Sequence, residues 1–171
     1  MPGLIDDLVS TMSQENDIYK ELIPIATEKT RVIIKNDLTA LQEITDKEQL
    51  VVERINSLER KREEVIKNIG IVLSRDPKTL NMKNLIKLMG KQPAEQQKLS
   101  KIHDELSDTL KKLVTINDRN KVLIEQSLEM IEFNLNLIQS SRTMPGGNNY
   151  TKSAGEEAFG GNGTRMFDAK Q

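Results

Sequence analysis

Aliphatic side chains recur along residues 4–73 at the three- and four-residue spacing of an α-helix. The clearest stretch alternates these spacings for more than four heptads, and only Glu48 and Arg62 are polar in it. A sustained pattern of this kind predicts long helices that pack through a coiled-coil seam. Its positions are Leu41, Ile44, Glu48, Val51, Ile55, Leu58, Arg62, Val65, Ile69 and Val72.

Two places interrupt this pattern. Pro24 lacks a backbone donor and its ring meets the carbonyl four residues earlier, so we expect a kink there. Asn36 and Asp37 hydrogen-bond readily to nearby backbone, and Asp37 suits the cap of a new helix. The sequence leaves open whether the chain bends, turns back or runs through at Asn36–Asp37.

The two polar seam positions have two interpretations. Long side chains at such positions often fix the register of packed helices while their charges reach water. Alternatively, Glu48 and Arg62 mark the place where a partner docks. We favour the first interpretation.

A connection of short elements precedes the last helix. Pro77 disfavours helix at Asp76, so the seam helix ends near residues 74–77. A short amphipathic helix is expected from Met82 to Met89, with Gly90 as a left-handed cap. Pro93 suits the first turn of the helix that follows.

The last helix, predicted over residues 94–141, changes character along its length. Its first half has one seam, formed by Leu99, Ile102, Leu106, Thr109, Leu113 and Ile116. In its second half that seam turns polar at Asn120, Ser127 and Asn134, while the neighbouring positions become aliphatic. The apolar face is then broader than one partner helix requires, which predicts a docking surface. Its proposed residues are Leu123, Ile124, Leu128, Ile131, Leu135 and Ile138.

The periodicity stops at residue 142. Residues 142–171 contain six of the nine glycines, which is typical of a disordered tail. We therefore divide the chain into an all-α domain of antiparallel long helices, residues 1–141, and a Gly-rich tail, residues 142–171. Tyr150, Phe159 and Phe167 in the tail are either short binding motifs or incidental aromatics.

Composition narrows the classes of function. The chain has 25 Lys and Arg against 26 Asp and Glu, interspersed, which gives no footprint for nucleic acid. Acids occupy positions 6 and 7, where a signal peptide has bases, and no long apolar run follows, so we expect a cytoplasmic protein without membrane insertion. With no Cys and a single histidine, His103, no catalytic site, metal site or cofactor is expected.

Several segments together resemble one protein family. They are Glu21–Lys29, Val32–Leu41, Ile44–Leu50, Leu58–Arg62 and Asn117–Leu128, and their combination is similar to the FlgN family of flagellar chaperones. The resemblance implies a helical chaperone that holds the hook–filament junction proteins FlgK and FlgL and delivers them to the type III export gate. It also implies that clients bind the C-terminal part, and that Tyr150 contacts the export gate component FlhA.

A second hypothesis needs no client. The broad apolar face from Leu123 to Ile138 also suits a structural coiled-coil or scaffold protein that forms homo-oligomers through it. The sequence leaves the oligomeric state open. Gene neighbourhood and sedimentation discriminate between the two hypotheses.

Overall fold

The computed structural model of the protein describes residues 2–143. Residues 144–171, with Tyr150, Phe159, Phe167 and nearly all of the predicted disordered tail, lie outside the described residues. Within residues 2–143 the fold is all-α, as predicted, and contains no strand. The described residues divide into two units, residues 2–134 and 135–143, and each is treated by itself below.

Four α-helices follow one another in the described residues: α1, Pro2–Lys35; α2, Leu38–Val72; α3, Met82–Leu88; and α4, Pro93–Thr143. Single 3₁₀ turns, Pro77–Thr79 and Met89–Lys91, flank α3. The short helix at the connection and the Pro93 start of α4 agree with the sequence predictions.

The chain turns back at Asn36–Asp37, which answers the question that the sequence left open. Asn36 adopts the left-handed conformation with φ 54°, which Asn tolerates better than most residues. Its N–H donates to the carbonyl of Ile33 at 3.0 Å. The Asp37 carboxylate then accepts from the N–H of Ala40 at 3.0 Å and caps α2.

α1 does not end at Pro24 but continues through it to Lys35. Pro24 is exposed, so water can satisfy the carbonyl that lost its helical partner. Leu22 and Ala26, on either side of it, are buried and held by packing. Tertiary packing therefore outweighs the local cost of the proline.

Residues 2–134 form a bundle in which α1 packs against both other long helices. α2 runs antiparallel to α1, because Glu15 meets Arg62 while Lys29 meets Glu48. α4 runs parallel to α1, because Lys98 pairs with Asp6 near the start of both helices and Asn120 bonds Ala26 farther along.

Two buried clusters lie along this bundle. The larger joins the first part of α1 to the end of α2, to α3 and to the start of α4; its members are Ile5, Leu8, Met12, Val65, Ile69, Leu80, Leu85, Met89, Leu99, Ile102 and Leu106. The smaller lies nearer the α1–α2 turn and consists of Ile18, Leu22, Ala26, Val51, Ile55 and Leu113. Most of the predicted α2 and α4 seams are therefore buried.

Val72 and Gly90 differ from the sequence expectations. Val72, the last predicted seam position, is exposed, because the chain turns at Ser74 and returns over Gly70 instead. The N–H of Arg75 donates to the Gly70 carbonyl at 2.9 Å, an approach that the missing side chain of glycine permits. Gly90 lies in the 3₁₀ turn after α3 and forms no left-handed cap. The Gln96 side chain instead donates to the Ile86 carbonyl of α3 at 2.9 Å.

The polar seam residues Glu48 and Arg62 pair with α1. Lys29 Nζ lies 2.6 Å from Glu48 Oε2, and Arg62 Nε donates to Glu15 Oε1 at 3.0 Å. These pairs lie between helices and hold α1 and α2 at one register, which favours the first of the two interpretations.

Glu15 is the charged residue most deeply placed in the bundle, with 1% of its side chain exposed. Burial raises the pKa of Glu15 above its ordinary value of 4.5, although the charge and hydrogen bond of Arg62 act to lower it. The neighbouring Tyr19 hydroxyl donates to Glu59 Oε1 at 3.1 Å. Burial, together with the Glu59 carboxylate, raises the pKa of Tyr19 to about 12.

The raised pKa of Glu15 makes stability depend on pH. The folded state binds the Glu15 proton more tightly than the unfolded chain does. The stability that this proton gives the folded state is complete below pH 4.5 and is lost as pH rises through the folded pKa. We expect the free energy of unfolding of wild type, minus that of Glu15→Gln, to be larger at pH 4.5 than at pH 7. Urea unfolding at the two pH values measures both free energies. Arg62→Met removes the charge and hydrogen bond that lower the pKa of Glu15, so the difference between the two pH values should be larger in that background. A difference independent of pH contradicts the prediction.

Candidate functional site

The buried side of α4 ends at Asn120. Its side chain is 3% exposed and occupies the seam position after Ile116. Asn120 Nδ2 donates to the Ala26 carbonyl at 2.9 Å, and the Thr30 hydroxyl donates to Asn120 Oδ1 at 2.5 Å. A buried amide with both ends bonded to α1 fixes the position of α4 along that helix.

Beyond Asn120, α4 has no buried residue from 121 to 142. Two turns after Asn120 the seam is polar again, and the Ser127 hydroxyl there donates to the Leu123 carbonyl of its own helix at 2.8 Å. The seam therefore offers the rest of the bundle little apolar surface here. Large aliphatic side chains on both sides of the seam stay accessible to solvent.

The predicted surface residues are accessible to different degrees. In the first unit, Leu128 is 60% and Ile131 54% exposed, whereas Leu123 and Ile124 are half-buried. In the second unit, Leu135 is 53% and Ile138 51% exposed. A folded protein rarely leaves so many neighbouring large hydrophobic residues exposed unless the patch has an interaction role.

The α1–α2 turn contributes residues that the sequence analysis did not identify. Leu38 is 79% exposed, the highest value among the large hydrophobic residues, and Ile34 is exposed beside it. Ile34 and Leu38 are four residues apart across the turn and lie off the main seam. This spacing is the sequence signal that could have identified them. Phe133 of α4 was missed as well; it is exposed, and it is the one aromatic residue in α4.

Two apolar clefts separate the turn from α4 in the first unit. In the first cleft, Val32, Leu38 and Leu41 face Ile124, Leu128 and Ile131. The second cleft lies between Ile33 and Ile34 on one side and Leu123 and Met130 on the other, and has a volume of about 480 Å³. Ser127 and Ile131 line both clefts, so the turn lies over the polar seam with an open aliphatic groove on each side.

The groups needed for chemistry are not assembled in residues 2–143. That part of the chain brings together no group of three His, Cys, Asp or Glu side chains able to hold a metal ion. His103 Nδ1 lies 3.1 Å from the exposed Asp104 carboxylate, which is a surface contact. No α-helix within these residues has the length and hydropathy needed to cross a bilayer.

A comparison of the sequence with models of known protein families identifies the family of this chain. A model of the family described as "FlgN protein" matches residues 1–158. The chain belongs to the FlgN family. That family consists of flagellar export chaperones, and it is not a family of enzymes.

A curated relative of this FlgN-family chain is similar over almost its whole length. It is "Uncharacterized protein YvyG" of Bacillus subtilis (strain 168), 24% identical over 155 residues that cover 90% of each chain. No solved structure matches the chain.

The structure brings together part of the site predicted for this FlgN-family chain. Ile124, Leu128 and Ile131 line the first cleft together, and Leu123 lines the second. Leu135 and Ile138 belong to the second unit, and Tyr150 lies outside the described residues. The additional residues of the first cleft, chiefly Leu38 and Leu41, come from the α1–α2 turn.

The Asn120 contact is expected to hold α4 in place beside the grooves. Asn120→Ala removes the hydrogen bonds to Ala26 and Thr30 and opens a gap, so we expect a loss of about 1–3 kcal/mol in the free energy of unfolding. Asn117→Ala, at an exposed position three residues earlier, is the matched control and should change it by less than about 0.5 kcal/mol. Urea unfolding followed by circular dichroism measures both, and equal effects contradict the assignment.

Proposed function

We propose that this chain is a cytoplasmic flagellar export chaperone that binds hook–filament junction proteins of the FlgK and FlgL type through the apolar surface of α4. It keeps these clients from assembling early and delivers them to the type III export gate. The observation that carries the proposal is the stretch 121–142 of α4, which is rich in large aliphatic residues and has none buried. Family membership supports the flagellar assignment.

The proposed client segment is an amphipathic helix. A helix laid along α4 covers aliphatic residues on its own apolar face, which is the helix-in-groove mode of recognition. Each large aliphatic residue that leaves water stabilises the complex by about 1.5–3 kcal/mol before the costs of association. A junction protein whose terminal helices are covered in this way has no free surface with which to polymerise.

The surface around Leu128 and Ile131 is the most direct place to test this proposal. We expect the double variant Leu128→Asp, Ile131→Asp to weaken binding of a purified junction protein by at least about 100-fold, because two apolar contacts are lost and two charges face an apolar partner. Its helicity should stay at the wild-type level, since both side chains are exposed. Isothermal titration calorimetry and circular dichroism give the two readouts.

A matched control exists on the same helix. Val114 and Val122 are 54% and 49% exposed, and Val122 lies about half a turn round the helix from Ile131. Val114→Asp, Val122→Asp adds the same charge and should leave client affinity within about twofold of wild type. Unchanged binding by a folded Leu128, Ile131 variant contradicts the proposed surface. A stable homodimer that buries this surface supports the scaffold hypothesis instead.

We propose that the segment after α4 delivers the client to the type III export gate. Tyr150 is the proposed contact with FlhA, as the family resemblance implies, and a contact residue after the client-binding helix lets one loaded chaperone engage a second partner.

Truncation of the chain after Ser141 separates client binding from delivery. We expect the truncated chain to bind the junction protein with wild-type affinity, because all six predicted client residues are retained. Secretion of that protein by cells should fall markedly, and Tyr150→Ala in the full chain should reproduce part of the loss. Tyr150→Phe, which keeps the ring, is the matched control. Unimpaired secretion by the truncated chain excludes the segment from the mechanism.

A further inference from the structure

Between the exposed bases Lys121 and Arg142, α4 carries charge of one sign. Between Val122 and Ser141 the charged residues are Glu125, Glu129 and Glu132, with no Lys, Arg or His among them. All three are exposed, and at 100° per residue they fall within about 60° of one another round the helix. The helix therefore has one acidic edge beside its aliphatic surface.

This acidic edge borders the first cleft. Leu128 lines the cleft, and Glu125 and Glu132 lie three residues before and four residues after it, which makes them its neighbours on the helix surface. The ionisable side chain within the cleft lining is also an acid, Asp37, whose carboxylate caps α2. Lys121 precedes Glu125 by one turn, and both line a depression nearer the middle of the bundle; Lys121 is absent from the lining of the first cleft.

We infer that the first cleft selects an amphipathic helix of a partner protein whose apolar stripe is flanked by Lys or Arg on the side that meets Glu125 and Glu132. This inference rests on the proposed chaperone function and specifies which client segments the surface accepts. Apolar contact provides most of the affinity, and the acidic edge provides choice and orientation among helices of similar hydrophobicity.

A second copy of this chain fits the cleft less well. A closed two-fold interface uses the same patch on both subunits, so the acidic edge of one copy lies at the rim of an interface whose partner also presents acids. Like charges set opposite one another disfavour such pairing. The charge pattern thus favours a different protein with bases at its rim.

Two synthetic helical peptides of one length and one apolar pattern test this inference. One has Lys and Arg beside its apolar stripe, and the other has Glu at the same positions. Fluorescence titration with the full chain at low salt should give about tenfold tighter binding for the basic peptide, since each exposed ion pair contributes modestly. The preference should shrink as salt screens the charges.

Charge reversal supplies the variant and its control. Glu125→Lys, Glu132→Lys should abolish or invert the preference. Glu53→Lys, Glu63→Lys, at exposed positions of α2, changes the net charge equally and should leave the preference intact. A result in which both pairs act alike assigns the effect to net charge and overturns the inference.

The remaining outcomes separate this inference from the proposed function. Equal affinity of wild type for the two peptides, or binding of neither, overturns the charge preference. If junction proteins still bind and Leu128→Asp, Ile131→Asp still abolishes that binding, the chaperone proposal stands alone. If sedimentation of wild type at micromolar concentration finds a dimer that Leu128→Asp, Ile131→Asp dissociates, the cleft belongs to a second copy and the inference is overturned.

Discussion

The contact between α4 and α1 determines how much of α4 has a neighbour to pack against. Asn120 is bonded to Ala26, and α1 has nine residues left from there before it ends at Lys35. Parallel helices advance equally per residue, so α4 passes the end of α1 about nine residues after Asn120. Met130 and Ile131, just beyond that point, line a cleft with residues of the α1–α2 turn. Their exposure thus follows from the length of α1 and from the register that Asn120 sets.

Register is set by polar pairs at different heights of the bundle. Glu15 with Arg62, and Lys29 with Glu48, join α1 to α2, while Thr30 and Asn120 join α1 to α4. Aliphatic seams alone allow neighbouring helices to slide by a turn, since one leucine or isoleucine replaces another at small cost. Buried polar groups do not allow this, because a slip leaves them without partners. The desolvation that raises the pKa of Glu15 indicates that this specificity has a cost in stability.

Much of the helical fold follows from periodicity alone. The seam residues Ile44, Ile55 and Ile69, and the stripe from Leu99 to Leu113, are buried as predicted, since a spacing of three and four places them on one face. The turn at Asn36–Asp37 was left open, because the local sequence suits both a turn and a capped continuation. The kink predicted at Pro24 stays a prediction, whereas the continuation of α1 through Pro24 depends on packing that the local sequence does not show.

The candidate site was predictable on α4 and not on the turn. Ile124, Leu128 and Ile131 are recognisable because they repeat on one helix, whereas Leu38 and Ile34 join them through the tertiary fold. The periodicity of one helix does not show which turn lies beside that helix in the folded chain. Phe133 was overlooked because it belongs to neither the seam nor the aliphatic stripe.

The Ser127 hydroxyl has one further consequence. The hydroxyl proton is already donated to the Leu123 carbonyl. This polar group, which lines both clefts, therefore needs no hydrogen-bond acceptor from an incoming helix. Such a floor can be dried by any aliphatic side chain of suitable size, without a polar group placed to match it. The floor of the clefts therefore discriminates by the shape of an incoming apolar side chain, and discrimination by charge is left to the acidic rim at Glu125 and Glu132.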